Sequence, residues 1–131
     1  MERSFYTPPE SITEGLFYKY TNIYSLSFMI YQILTGKELF RFPRGMNKCA
    51  FFINVIGGLR PDNSIIHNED IVNFLKKCWN ENTDERLTID ELIDFITSPN
   101  FCSYFNSLDH ESIKRYFDIY GDIFNDLKDK F

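Results

Sequence analysis

The sequence predicts an all-helical domain of five or six helices around a buried central helix. Three observations carry that expectation. Apolar residues recur at spacings of three and four in one segment after another, which is the helical period. Thr88 and Glu91 stand three apart at the head of an apolar run, the pairing of a capping box that opens a helix. No stretch alternates apolar and polar residues over more than a few positions, so no strand is expected.

Each element follows in chain order. Residues 5–15 hold Pro8, Pro9 and Gly15 and read as a turn-rich start, with one helical turn after Pro9, where proline suits the first helical position. Ile23, Leu26, Ile30, Ile33 and Leu34 then share one helix face, while Phe28, Met29 and Tyr31 cover the other. A helix that is apolar nearly all round sits inside a domain. Gly36 stops it. Residues 37–47 form a loop with Pro43 and Gly45, and a short helix follows from about Lys48 to Ile56, ended by Gly57-Gly58. LRPDNS reads as a loop. Residues 69–79 place Ile71, Phe74, Leu75 and Cys78 on one face of an amphipathic helix. The helix opened by Thr88 directs Ile89, Leu92, Ile93 and Ile96 inward, and Ser98-Pro99-Asn100 ends it. The tail restarts at Asp109, a good N-cap. There Ile113, Tyr116, Phe117, Tyr120, Phe124, Leu127 and Phe131 recur at three and four, a stripe that reads as a helix packed onto the domain.

Composition narrows the function. A chain of 131 residues with 44% apolar content suits one domain with a real core. The net charge of −5, with Arg41, Arg44 and Lys48 scattered as a solvated rim, excludes a phosphate-backbone binder, so no nucleic-acid partner is expected. Cys49, Cys78 and Cys102 are odd in number and widely spaced, and His67 and His110 lie far from them in sequence. Neither a zinc site nor a disulfide framework is expected; reduced thiols and a cytoplasmic setting are. Asp90, Glu91 and Asp94 read as helix cap and solvated face, with no metal site. The N-terminal MERSFYTPPE lacks the apolar core of a signal peptide. The run from Ile23 to Leu34, broken by Ser25, Ser27 and Gln32, is too short and polar to span a membrane.

CWNENTDERLTIDELI, residues 78–93, contains the only tryptophan and a polar loop ending in one arginine. Together with three other stretches, it resembles the C-terminal lobe of a eukaryotic protein kinase domain. YTPPE at 6–10 resembles the Ala-Pro-Glu motif that closes the activation segment. TNIYSLSFMIYQILTGKELF at 21–40 resembles the central buried helix, whose family pattern begins Asp-x-Tyr-Ser-x-Gly and ends Thr-Gly-x-x-Pro-Phe. GLRPD at 58–62 resembles the Gly-x-Arg-Pro stretch after the next helix. The Cys-Trp and Gly-x-Arg-Pro versions are similar to the tyrosine kinase and tyrosine-kinase-like branch. The resemblance covers roughly residues 3–96.

The resemblance implies a structural ion pair between Glu10 and Arg86, a planar guanidinium fork on a carboxylate that fixes an otherwise polar loop. It implies Trp79 as a core anchor beneath that loop, and Arg3, Phe5 and Tyr6 in the loop that helps bind a substrate peptide. Ser4, Tyr6 and Thr7 become phosphorylation candidates if they lie in an activation segment; otherwise they are loop polar groups and a packing tyrosine. Departures from the pattern are specific. The aspartate that anchors the central helix to the catalytic-loop backbone is Asn22, which accepts with one uncharged oxygen. The glycine is Ser27, the proline is Leu39, and the usual Gly-Thr is Glu2-Arg3.

Phosphoryl transfer needs a Gly-rich loop, a strand lysine, a catalytic aspartate and Mg²⁺ ligands. In the family all precede the Ala-Pro-Glu position. These 131 residues contain no Gly-x-Gly-x-x-Gly, His-Arg-Asp or Asp-Phe-Gly, so no residue is carried over as catalytic or metal-binding. The expectation is therefore a partial kinase domain over residues 1–97 and a helical tail over 98–131. ATP and Mg²⁺ belong to the complete domain, which would phosphorylate protein Ser, Thr or Tyr hydroxyls. The partners expected are a protein substrate or partner, or a missing N-terminal kinase half, and no membrane. The alternative is a non-catalytic, pseudokinase-like binding or scaffold module. A half domain also exposes the face its other half should cover, so the isolated chain is expected to be marginally stable or oligomeric.

Overall fold

A computed structural model describes residues 3–15, 19–40, 47–109, 111 and 115. Among them lie six α-helices, three 3-10 turns and no strand. The helices are α1 (Pro9–Glu14), α2 (Lys19–Thr35), α3 (Lys48–Ile56), α4 (Glu69–Cys78), α5 (Ile89–Ile96) and α6 (Pro99–Asn106). None is long and apolar enough to cross a membrane.

The central helix is α2. Tyr24 and Phe28 are fully buried, with Ile23, Ile30, Tyr31 and Leu34 almost so. Burial on more than one face follows from the near-absence of a polar side, as the spacing predicts. Ser27 is buried too, and its hydroxyl donates to the Tyr24 carbonyl oxygen at 2.6 Å, which satisfies it without leaving the helix. Gly36 takes φ 63°, the left-handed conformation a C-cap demands, and its N–H donates to the Gln32 carbonyl. Around α2 pack α4 and the 3-10 turns Arg3–Tyr6 and Thr83–Glu85, while α1 meets α3 and α5 meets α6.

Side chains start the outer helices. Asn47 accepts from the Ala50 N–H and Asn68 from the Ile71 N–H. Glu69 and Asp70 in the first turn of α4, with Lys76 and Lys77 in its last, complement the helix dipole. Thr88 and Glu91 form the reciprocal capping box of α5, at 3.2 Å in each direction. LRPDNS is less irregular than expected: Asp62 caps a 3-10 turn over Asn63–Ile65.

Two expectations need correction. Only Leu92 of the α5 set is fully inward and Ile96 is half-buried; Ile89 is 53% and Ile93 47% exposed. The inward row runs instead through Leu92, Phe95 and Ile96, because Phe95 stacks on Phe74 at 4.3 Å and turns α5 to suit that contact. The second concerns Ser98-Pro99, which starts a helix as well as following one. Thr97 closes α5, while Ser98 accepts from the Phe101 N–H and Pro99 holds the first position of α6. The loop at 41–46 and the tail stripe from Ile113 onward lie outside the described residues. Asp109 does accept a hydrogen bond from the Glu111 N–H, at 3.2 Å.

Candidate functional site

The polar loop 80–87 is ordered by its own asparagines. Asn80 accepts from the Asn82 N–H and Asn82 from the Asp84 N–H, so the chain turns twice and delivers Arg86 inward in extended conformation. From the other end of the sequence, Pro9 opens α1 and sets Glu10 in its first turn, buried against the start of α2.

The structure brings these two residues together. Arg86 Nη1 donates to Glu10 Oε2 at 2.6 Å and Nη2 to Oε1 at 2.8 Å, a bidentate pair in which Arg86 is 4% and Glu10 9% exposed. Two further donors are also engaged. Nη1 reaches the Tyr20 carbonyl at 3.0 Å and Nε the Asn80 carbonyl at 2.8 Å. Thr21 donates its hydroxyl to Glu10 Oε2 at 3.1 Å. One arginine thus ties the late loop, α1 and the start of α2. Burial pushes the Glu10 carboxyl up, but the Arg86 hydrogen bonds, the backbone and the Arg86 charge outweigh it, and the group sits below its ordinary 4.5. With both carboxylate oxygens engaged by Arg86, the site is a fixed clamp.

The chain matches the family of protein tyrosine and serine/threonine kinases over residues 2–96. It belongs to the protein kinase family. Over 95 residues it is 37% identical to "Probable serine/threonine-protein kinase gdt4" of Dictyostelium discoideum, covering 70% of this chain and 6% of that protein. Over 78 residues it is 32% identical to the mitogen-activated protein kinase kinase kinase mom-4 of Caenorhabditis elegans, covering 59% of this chain and 14% of that protein. The chain therefore spans a small part of the length of these kinases.

The other kinase-like stretches converge on the same region. Trp79 is buried at the end of α4, its ring edge-on to Phe28 at 5.7 Å and tilted against Tyr31 at 6.3 Å. Its carbonyl accepts from Arg60 Nε at 2.7 Å, and Arg60 Nη1 donates to the Val55 and Leu59 carbonyls. Arg60 thus laces the end of α3 to the end of α4, a role visible in sequence only as part of Gly-Leu-Arg-Pro. The fully buried Tyr24 ring lies within reach of both guanidiniums, 5.2 Å from Arg60 Cζ and 5.1 Å from Arg86 Cζ. Its hydroxyl is buried with no hydrogen-bond partner among the described residues, and desolvation pushes its pKa up to about 12. Tyr31 instead donates to the Asp62 carbonyl at 2.6 Å.

The remaining site candidates divide. Arg3 belongs to the 3-10 turn Arg3–Tyr6. Tyr6 is buried, donating to Gln32 Oε1 at 2.7 Å while its carbonyl accepts from the Ser25 hydroxyl, so it serves the core and offers no surface to a peptide. Phe5 is half-buried, edge-on to Phe51 at 5.1 Å. Asn22 is exposed at the start of α2, near the clamp in sequence but outside it. Among the described residues no group of three His, Cys, Asp or Glu side chains is placed to hold a metal ion.

Proposed function

We propose that this chain supplies the C-terminal lobe portion of a protein kinase domain, and that the complete domain transfers the ATP γ-phosphate to protein hydroxyls. The Glu10–Arg86 clamp carries the reading. Two residues that are far apart in sequence meet in a buried bidentate pair at the start of the central helix. Its service is rigidity: it holds the segment ending at Glu10 against the lobe, where a substrate-binding loop needs a fixed wall. ATP and Mg²⁺ are handled by parts of the domain outside these residues, which contain none of the phosphate-binding or metal-binding motifs. The Cys78-Trp79 pair and Gly58-Leu59-Arg60-Pro61 support the tyrosine-kinase-like branch. Free thiols at Cys49, Cys78 and Cys102 suit a reducing, cytoplasmic setting.

The second reading is a docking module that does no phosphoryl transfer. Asn22 favours it: an exposed amide stands where the family pattern has a helix-anchoring carboxylate, and it offers a weaker tie to a catalytic loop. The test is phosphate incorporation into protein substrates by the native product, isolated from its source and supplied with ATP and Mg²⁺. Transfer that disappears in the Arg86→Leu variant supports the kinase reading. No transfer, with retained binding of a protein partner, supports the docking module.

A further inference from the structure

Helix α6 lies past residues 2–96, the part that matches the family, yet it is built into the lobe. Asn100 in its first turn ties it to the start of α4. Its Nδ2 donates to Asp70 Oδ2 at 2.7 Å, and its Oδ1 accepts from Asn68 Nδ2 at 3.0 Å. Beside it, Phe101 stands edge-on to Phe95 at 6.0 Å, and Phe95 stacks on Phe74 at 4.3 Å, so three rings run from α6 through α5 to α4. The joint between α5 and α6 is fixed as well. The Ser98 hydroxyl donates to the Phe95 carbonyl at 2.5 Å and accepts from the Phe101 N–H at 3.4 Å. Tyr104, Phe105 and Leu108 pack, partly buried, against the core.

What α6 holds is the pair of helices that flank the arginine loop. The contacts Asp70–Asn100 and Phe74–Phe95 run in opposite order along the chain, so α4 and the α5–α6 stretch form antiparallel stems. The polar loop 80–87, with Arg86, is the tip of this hairpin, and α6 closes its base. We propose that α6 is a brace for the Glu10–Arg86 clamp. Phe101 is its positioning residue, fixing the angle between the two stems, and Asn100 adds a polar tie at the same end. The lever is long enough to matter. At about 1.5 Å per residue, Ile89 lies about 9 Å along α5 from Phe95, so a tilt of about 10° at the base moves the tip by about 1.5 Å. The Arg86 bonds to Glu10, at 2.6 and 2.8 Å, do not survive a displacement of that size. The brace acts on the clamp whether or not the complete domain transfers phosphate.

Two arginine side chains provide the test. The Nε–H of Arg86 donates to the Asn80 carbonyl and probes the clamp directly; the Nε–H of Arg60 donates to the Trp79 carbonyl and registers any general loss of stability. Hydrogen exchange of both protons is followed by NMR on the full 131-residue chain. In Phe101→Ala the Arg86 proton should exchange at least about 10-fold faster and the Arg60 proton at most about 3-fold faster, because the tip loosens before the lobe unfolds. Asn100→Ala leaves the rings in place and should speed the Arg86 proton by about 3-fold. Ser103→Ala, at an exposed position of α6, should change neither. An unchanged Arg86 rate in Phe101→Ala overturns the proposal. Equal acceleration of the two protons also overturns it, because α6 then contributes stability alone. So does exchange of the Cys102 and Leu108 amides at free-peptide rates in the unchanged chain, since α6 would not be docked. If Phe101→Ala fails to fold, Asn100→Ala decides: a faster Arg86 proton beside an unchanged Arg60 proton supports the brace, and no change refutes it.

Discussion

Replacing Arg86 with leucine removes four hydrogen bonds at once, two to Glu10 and one each to the Tyr20 and Asn80 carbonyls. What stays behind is a carboxylate that is 9% exposed, with no charged partner and held only by the Thr21 hydroxyl and its own backbone N–H. Stranding one partner of a buried pair costs about 3–5 kcal/mol, against a total domain stability of about 5–15 kcal/mol. Glu10→Leu strands the guanidinium instead and should cost a similar amount. The double variant loses both charges and leaves two carbonyls short of a donor and the Thr21 hydroxyl without its bond to Glu10, so its cost should fall well below the sum of the singles. Urea titration followed by circular dichroism measures this. With a slope of about 1–3 kcal/mol per molar, each single variant should lower the midpoint by at least about 1 M. The coupling energy from the cycle should reach about 2–3 kcal/mol. Single costs below about 1 kcal/mol that simply add would place the pair in the class of weak surface bridges and refute the clamp.

Other outcomes follow from the same geometry. Because the folded Glu10 carboxyl titrates below its ordinary 4.5, its contribution is complete above that value and is lost as pH falls through the lower folded value. Acid titration of stability should thus show a drop below about 4.5 that Glu10→Leu flattens, and a stability rising on acidification would contradict it. Tyr24→Phe removes a buried hydroxyl with no partner among the described residues and should be neutral or stabilising, whereas Tyr31→Phe breaks the bond to the Asp62 carbonyl and should cost about 0.5–1.5 kcal/mol in thermal or urea melts. Leu92→Ala should cost about 2–5 kcal/mol and Ile89→Ala at most about 0.5 kcal/mol, by urea melt; equal costs would mean α5 is turned differently.

What the sequence made legible was local. The run Lys48–Ile56 is a helix because its period is helical and Gly57-Gly58 follows, and α5 begins where Thr88 and Glu91 say it must. The central helix was readable because it lacks a polar side, which leaves no ambiguity about facing. That same reasoning failed on α5. A stripe of Ile89, Leu92, Ile93 and Ile96 has the right period, but periodicity cannot say which flank of a broad stripe a neighbour covers. The Phe74–Phe95 stack decided it. At Ser98-Pro99 the signals for stopping one helix and starting the next coincide, and only the second N-cap bond separates them. The Glu10 and Arg86 partnership came from a family resemblance, since no local pattern links residues so distant. Arg60 was within reach of the same resemblance, but its bond to the Trp79 carbonyl, nineteen residues on, is brought about by the fold, beside two local acceptors at Val55 and Leu59.

The central claim is that these residues are the lobe of a protein kinase domain whose phosphate-handling half lies elsewhere in the same product. The most direct measurement is the intact mass and peptide map of the native protein that carries this stretch. The account predicts a longer product with a Gly-rich loop, a strand lysine and an Asp-Phe-Gly segment upstream of Glu10. A native product of only these 131 residues would contradict it, and would turn the search toward what the lobe binds.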